Sequence, residues 1–102
     1  MKKFAFLSLA MIVSFNVFAE CAGEAQFIAK VGEANFRLGS GCRVTITEPQ
    51  IYNENPFCPL MIEDVNSIGI EAPVINGHEC AWQPGDIISG VLVLKGDKII
   101  IE

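Results

Sequence analysis

The chain has 102 residues, 51% of them hydrophobic, and its twelve acidic against seven basic side chains give a net charge of −5. A chain of this length reads as one domain, near the lower limit of what a single hydrophobic core can support. Its acidity, with Lys30, Arg37, Arg43, Lys95 and Lys98 spread out and no basic run, argues against nucleic acid and anionic membrane surfaces as partners.

Met1-Lys2-Lys3 is a short basic start, followed by an apolar run, Phe4–Phe18, interrupted only by Ser8, Ser14 and Asn16. Val17-Phe18-Ala19 then supplies small residues at the −3 and −1 positions of a cleavage site. This is the grammar of a secretory signal peptide over residues 1–19, and the apolar part is short for a bilayer span. A retained membrane anchor is the competing reading. Lipid attachment at Cys21 would need a small residue before it, and Glu20 stands there. The expectation is a bacterial chain, periplasmic or secreted, with residues 20–102 as a single small β domain and no membrane association once the signal is removed.

Cys21, Cys42, Cys58 and Cys80 all follow the expected cleavage site. An even number of well-spaced cysteines in an exported chain predicts two structural disulfides. No C-x2-C pair is present, which argues against a zinc site and against a thioredoxin-like redox centre. No cofactor and no metal are expected. Asp64-Val65-Asn66-Ser67 only superficially resembles a calcium loop, because the later glycine and bidentate glutamate are missing.

Glu24–Leu38 reads as a long strand, with Ala25, Phe27, Ala29 and Val31 alternating against Gln26, Ile28 and Lys30. Gly32 predicts a bulge or bend. Gly39-Ser40-Gly41 is a turn, and Cys42, Val44 and Ile46 form the inward face of the next strand, which Pro49 is expected to end. In that hairpin Cys42 falls opposite about Arg37, while Cys21 lies at the far end of the first strand. A disulfide needs Cα atoms within about 7 Å, so Cys21–Cys42 is disfavoured. Two pairings remain: Cys21–Cys58 with Cys42–Cys80, or Cys21–Cys80 with Cys42–Cys58.

Pro49–Pro59 reads as the least regular segment, with Ile51, Tyr52 and Phe57 pinning it to the core. Leu60–Val65 is a helical turn or a short strand, and Ile68-Gly69-Ile70 and Val74-Ile75 are brief strands. Asn76-Gly77 is a turn signal. Pro84-Gly85-Asp86 leads into a closing hairpin, Ile87–Glu102, turning at Gly96-Asp97 with Leu94 facing Ile99 and Leu92 facing Ile101. Its second face mixes Ser89, Lys95, Lys98 and Glu102 with Ile87, Val91, Val93 and Ile100. Left uncovered, that face would be an apolar contact patch, and the last strand an open sheet edge.

The sum is an all-β fold of five or six strands with at most one short helix, braced by two disulfides. A small barrel is favoured, whose layout of long kinked strand, meander, irregular middle and closing hairpin resembles an OB-like barrel; a sandwich is the alternative.

Few residues point to chemistry. His78 is the single histidine and reads first as an exposed turn residue beside a disulfide, second as a general base with Glu79. Nucleophilic catalysis would need an activated hydroxyl or thiol beside it, and no context marks Ser40, Ser67 or Ser89. Glu63-Asp64 would point to opposite faces of a strand, and the other carboxylates are scattered. Trp82, the sole tryptophan, caps an open barrel end or anchors a partner together with Tyr52 and Phe57. The reading is therefore a non-catalytic binding or accessory module, not an enzyme, recognising a protein or polysaccharide of the envelope. A secreted enzyme inhibitor built on the braced Pro49–Pro59 loop and a small hydrolase using His78 with a carboxylate are the alternatives.

Overall fold

Residues 21–102 are described by the structure, a computed structural model. The expected signal segment, 1–19, lies outside the described residues. Seven strands and one helix follow in order: β1 (Glu24–Arg37), β2 (Gly41–Glu54), α1 (Ile62–Ile68), β3 (Ile70–Ala72), β4 (Val74–Ile75), β5 (Glu79–Cys80), β6 (Ile87–Lys95) and β7 (Lys98–Ile101). Five of them close a barrel in the order β1-β2-β3-β7-β6, and β4 and β5 form a separate two-stranded ribbon. The fold is thus the expected small disulfide-braced barrel and not the sandwich.

The alternation in β1 does what its period predicts. Ala25, Phe27, Ala29 and Val31 are buried and meet Val44, Ile46, Ile88, Leu92 and Ile99 in one core. Along β1–β2 the register slips between Val31 and Ala34, where Gly32 and Glu33 of β1 stand against Thr45 alone of β2, which is the bulge expected at Gly32. A Cβ at Gly32 would sit 3.0 Å from Thr45 Oγ1, so a side chain there would require the Thr45 hydroxyl to give way.

Pro49 does not end β2. The strand runs to Glu54, because a second slip, between Ile28 and Lys30, loops Glu48, Pro49 and Gln50 out of the ladder before pairing resumes at Ile51. Glu48 takes a positive φ of 47° at this bulge. A proline there has no ladder hydrogen bond to lose. The irregular segment accordingly shrinks to Asn55–Met61, and of the three expected pins only Tyr52 packs against the core. Ile51 is 41% and Phe57 78% exposed. Within the β1–β2 turn, Cys42 faces Phe36, one residue from the expected Arg37.

Leu60–Val65 contributes to a helix. Ile62, Val65 and Ile68 recur every three residues, with Val65 fully buried and the other two packed on the core. Glu63 and Asp64 lie in the first turn, where the helix dipole favours carboxylates. Gly69 stops the helix with φ +88° and donates its N–H to Val65 O at 2.8 Å, so the expected strand at Ile68-Gly69-Ile70 begins only at Ile70. Asn66 then stands in for a strand neighbour. Its Oδ1 accepts from Ile46 N–H at 2.9 Å and its Nδ2 donates to Ile46 O at 3.1 Å, beyond the point where β3 stops pairing with β2.

The closing hairpin has the expected register, Leu92 opposite Ile101 and Leu94 opposite Ile99. β7 is not an open edge, however. It lies between β6 and β3, the latter a parallel neighbour joined at Ile70–Ile99. On the second face Val93 is buried, Val91 and Ile100 are half-buried, and only Ile87 is largely exposed.

The disulfides are Cys21–Cys58 and Cys42–Cys80, one of the two pairings left open, with Cα–Cα distances of 5.9 and 5.6 Å. The first ties the start of β1 to the loop after β2, where Glu24 N–H also donates to Cys58 O at 2.8 Å. The second ties β2 to β5. Two such bonds indicate an oxidising, extracellular environment. Among the described residues no helix is long and apolar enough to cross a membrane.

Candidate binding site

β3 and β7 run parallel and share one registered pair, Ile70 with Ile99. Past it, Glu71, Ala72 and Pro73 on one side and Ile100 and Ile101 on the other line an open depression of about 530 Å³. Ile88 and Ser89 of β6 and the Trp82 ring complete it. A parallel pairing this short leaves side chains, not backbone, to finish the wall.

Trp82 is placed by bonds on both sides of it. Ala81 N–H donates to Pro73 O at 2.9 Å, fixing the chain to the end of β3. Downstream, Gln83 N–H donates to Asp86 Oδ2 at 2.8 Å, and Gly85 N–H to Val31 O at 2.9 Å. Gln83 Nε2 also donates to the Cys80 carbonyl at 2.6 Å, beside the Cys42–Cys80 bond. The indole is half-buried: it packs on the core and also lines the depression. The polar groups here are few. Ser89 offers a hydroxyl, and Glu71 a carboxylate held 3.6 Å from Lys98 Nζ. An apolar hollow with a rigid aromatic and a small number of polar groups is the usual composition of a recognition surface.

The other sequence-nominated residues do not converge on Trp82. Tyr52 donates its hydroxyl to Leu60 O and packs on the core from β2. Burial, with help from the carboxylates of Glu54, Glu63 and Asp64, pushes its pKa up to about 12. Phe57 projects from the Asn55–Pro59 loop, where Asn55 Oδ1 accepts from the backbone N–H groups of Phe57 at 2.8 Å and Cys58 at 3.2 Å. His78 sits exposed on the β4–β5 turn, its Nδ1 2.9 Å from Asn76 O and its Nε2 3.6 Å from Glu79 Oε1. That turn has φ of 54° at Asn76 and 79° at Gly77, the conformation that Asn-Gly favours. Glu71, Ala72 and Pro73 carry no sequence signal, since only a non-local parallel contact brings them to the closing hairpin. Ser89 and Ile100 lie on the mixed face of that hairpin.

No family model, no curated protein and no solved structure matches the chain.

Proposed function

We propose that this chain is a non-catalytic binding module of the bacterial envelope, periplasmic or secreted, which recognises a protein or polysaccharide partner through the Trp82 depression. The observation that carries the reading is the placement of a firmly held, half-exposed indole over a hollow of isoleucines beside the short β3–β7 seam. Buried aromatics at the centre of such surfaces commonly supply about 2 kcal/mol or more of binding energy. As the sole tryptophan, Trp82 also reports its own environment. Titrating the oxidised protein with fractionated envelope extract is expected to shift its fluorescence, and Trp82→Ala is expected to weaken capture of the same component about 30-fold. Capture that survives Trp82→Ala unchanged would remove the depression from the account.

A second reading, an inhibitor of a secreted protease, is favoured by one observation. Phe57, 78% exposed, precedes a disulfide-bonded cysteine on a loop tied through Asn55 and Glu24. Such bracing preorganises a loop for lock-like binding. Chymotrypsin, which cuts after aromatic residues, is expected to be inhibited by the oxidised protein and to cleave the reduced one after Phe57. Rapid cleavage of the oxidised loop would end this reading.

A further inference from the structure

Arg37 and Arg43 are the two arginines of the chain, and the fold gathers what the sequence scatters. Asn35 lies opposite Arg43 and Arg37 opposite Gly41 in the β1–β2 ladder. Residues two apart on a strand share a face, so the two guanidinium side chains rise as diagonal neighbours from one side of the ribbon. With Glu33 and Thr45 they line a groove of about 440 Å³, whose other wall carries Asn66 and Ser67 of α1.

Neither arginine forms an ion pair among the described residues. Glu71 stands directly opposite Arg43 on β3, but its carboxylate is the one paired with Lys98. Arg43 is held in place: its Nη1 donates to Ile68 O at 3.2 Å, and its stem lies so close over Gly69 that a Cβ there would be 3.0 Å from Arg43 Cβ. A guanidinium remains charged at any pH at which the protein is folded, and its planar fork matches a carboxylate. Two unpaired guanidinium groups in one groove of an acidic protein are a local inversion of charge.

We infer that this groove binds an acidic saccharide, with the sugar carboxylate on Arg37 and Arg43. Asn35, Ser67 and the Thr45 hydroxyl face the sugar hydroxyls, and the Glu33 carboxylate accepts from one of them. That same carboxylate disfavours a densely charged ion such as phosphate, which offers it no donor. The groove is of a size for a disaccharide. The inference rests on this groove alone and is independent of the Trp82 depression.

The test is a nuclear magnetic resonance titration of the oxidised protein with digalacturonic acid, its methyl ester and inorganic phosphate. The acid is expected to shift the backbone amides of Asn35, Arg43, Thr45 and Ser67, to bind at least tenfold more tightly than the ester, and to weaken as salt is raised. Arg37→Gln and Arg43→Gln are each expected to cost about tenfold in affinity for the acid and nothing for the ester. Trp82→Ala is expected to leave the acid's affinity unchanged, which separates a failure here from a failure of the depression. Should Arg43→Gln misfold, Arg37→Gln at the exposed strand end decides alone. Equal binding of acid and ester, shifts confined to other residues, no shift at all, or phosphate binding as tightly as the acid would each overturn the inference.

Discussion

β7 is held on its two sides in very different ways. Toward β6 it makes four registered pairs, from Leu92–Ile101 to Lys95–Lys98, extended by the reciprocal hydrogen bonds between Val91 and Glu102. Toward β3 it makes one. The first contact is local, and a two-residue turn sets its register before any tertiary packing is needed. The second joins segments almost thirty residues apart in sequence, so loop closure opposes it. Ile70, Ile99 and Trp82 close that side by packing, and Cys42–Cys80 clamps the chain beside it. The difference teaches that backbone pairing seals β7 against β6 while side chains finish its seam with β3; distance in sequence alone does not decide this, since β1 and β6 are non-local and still pair through seven registered residues. The depression lined by Trp82 lies along the β3–β7 seam.

The largest expected effect falls on the one residue registered in both seams. Ile99 is fully buried, opposite Leu94 on β6 and Ile70 on β3. Ile99→Ala is expected to destabilise by about 2–5 kcal/mol in denaturant titration, and half-buried Leu94, changed to alanine, by clearly less. Equal losses would mean that the seam adds nothing to the hairpin.

Next comes the clamp. Replacing Cys42 and Cys80 together by serine is expected to cost about 2–4 kcal/mol, read as a lowered denaturant midpoint. The loss of protection should be greater at Ile70–Ala72 than along β6–β7. A uniform loss would place the disulfide's effect wholly in the unfolded chain.

A smaller effect is expected on the strong side. Gly90 lies in β6 with φ +143°, and a Cβ there would be 2.6 Å from Ile101 Cγ2 and 3.3 Å from Glu102 O. Gly90→Ala is expected to cost about 1–3 kcal/mol, showing that even the well-paired hairpin depends on one residue without a side chain. A neutral change in thermal midpoint would show that β7 can shift to accommodate it.

Tyr52 gives the smallest effect, and a control away from both seams. Tyr52→Phe removes the bond to Leu60 O at an expected cost of about 1 kcal/mol. Its raised pKa carries a sign. In the unfolded chain the phenol ionises near 10.0, in the folded protein at about 12. The unfolded state therefore loses its proton first, and stability falls as pH rises across that window. Tyr52→Phe should flatten this part of the stability profile and leave the seam's exchange unchanged.

Much of this was legible in residue order. The period of Ala25, Phe27, Ala29 and Val31 gave β1 its core face, Gly32 its bulge, and Gly96-Asp97 the register of the closing hairpin. Simple distance reasoning removed Cys21–Cys42, and the pairing found is one of the two survivors. What could not be read has identifiable causes. Pro49 signals a strand end, but a bulge lets β2 pass through it. Ile62, Val65 and Ile68 are too few to separate a short helix from a strand by period. The β3–β7 contact is non-local, so neither the closure of the barrel nor the company of Trp82 follows from local pattern. Nor was the diagonal pairing of Arg37 with Arg43 legible: Cys42 opposite Arg37, as the turn at Gly39-Ser40-Gly41 suggests, would put the two on opposite faces, and only the observed register, with Cys42 opposite Phe36, brings them to one face.

Amide hydrogen exchange on the oxidised protein tests the two-seam account most directly. The account predicts that the β6–β7 amides, Val91 to Leu94 and Ile99 to Ile101, exchange only through global unfolding, whereas Glu71 and Ala72 exchange through a local opening at lower free energy. Equal protection of β3 and of the β6–β7 hairpin would contradict it.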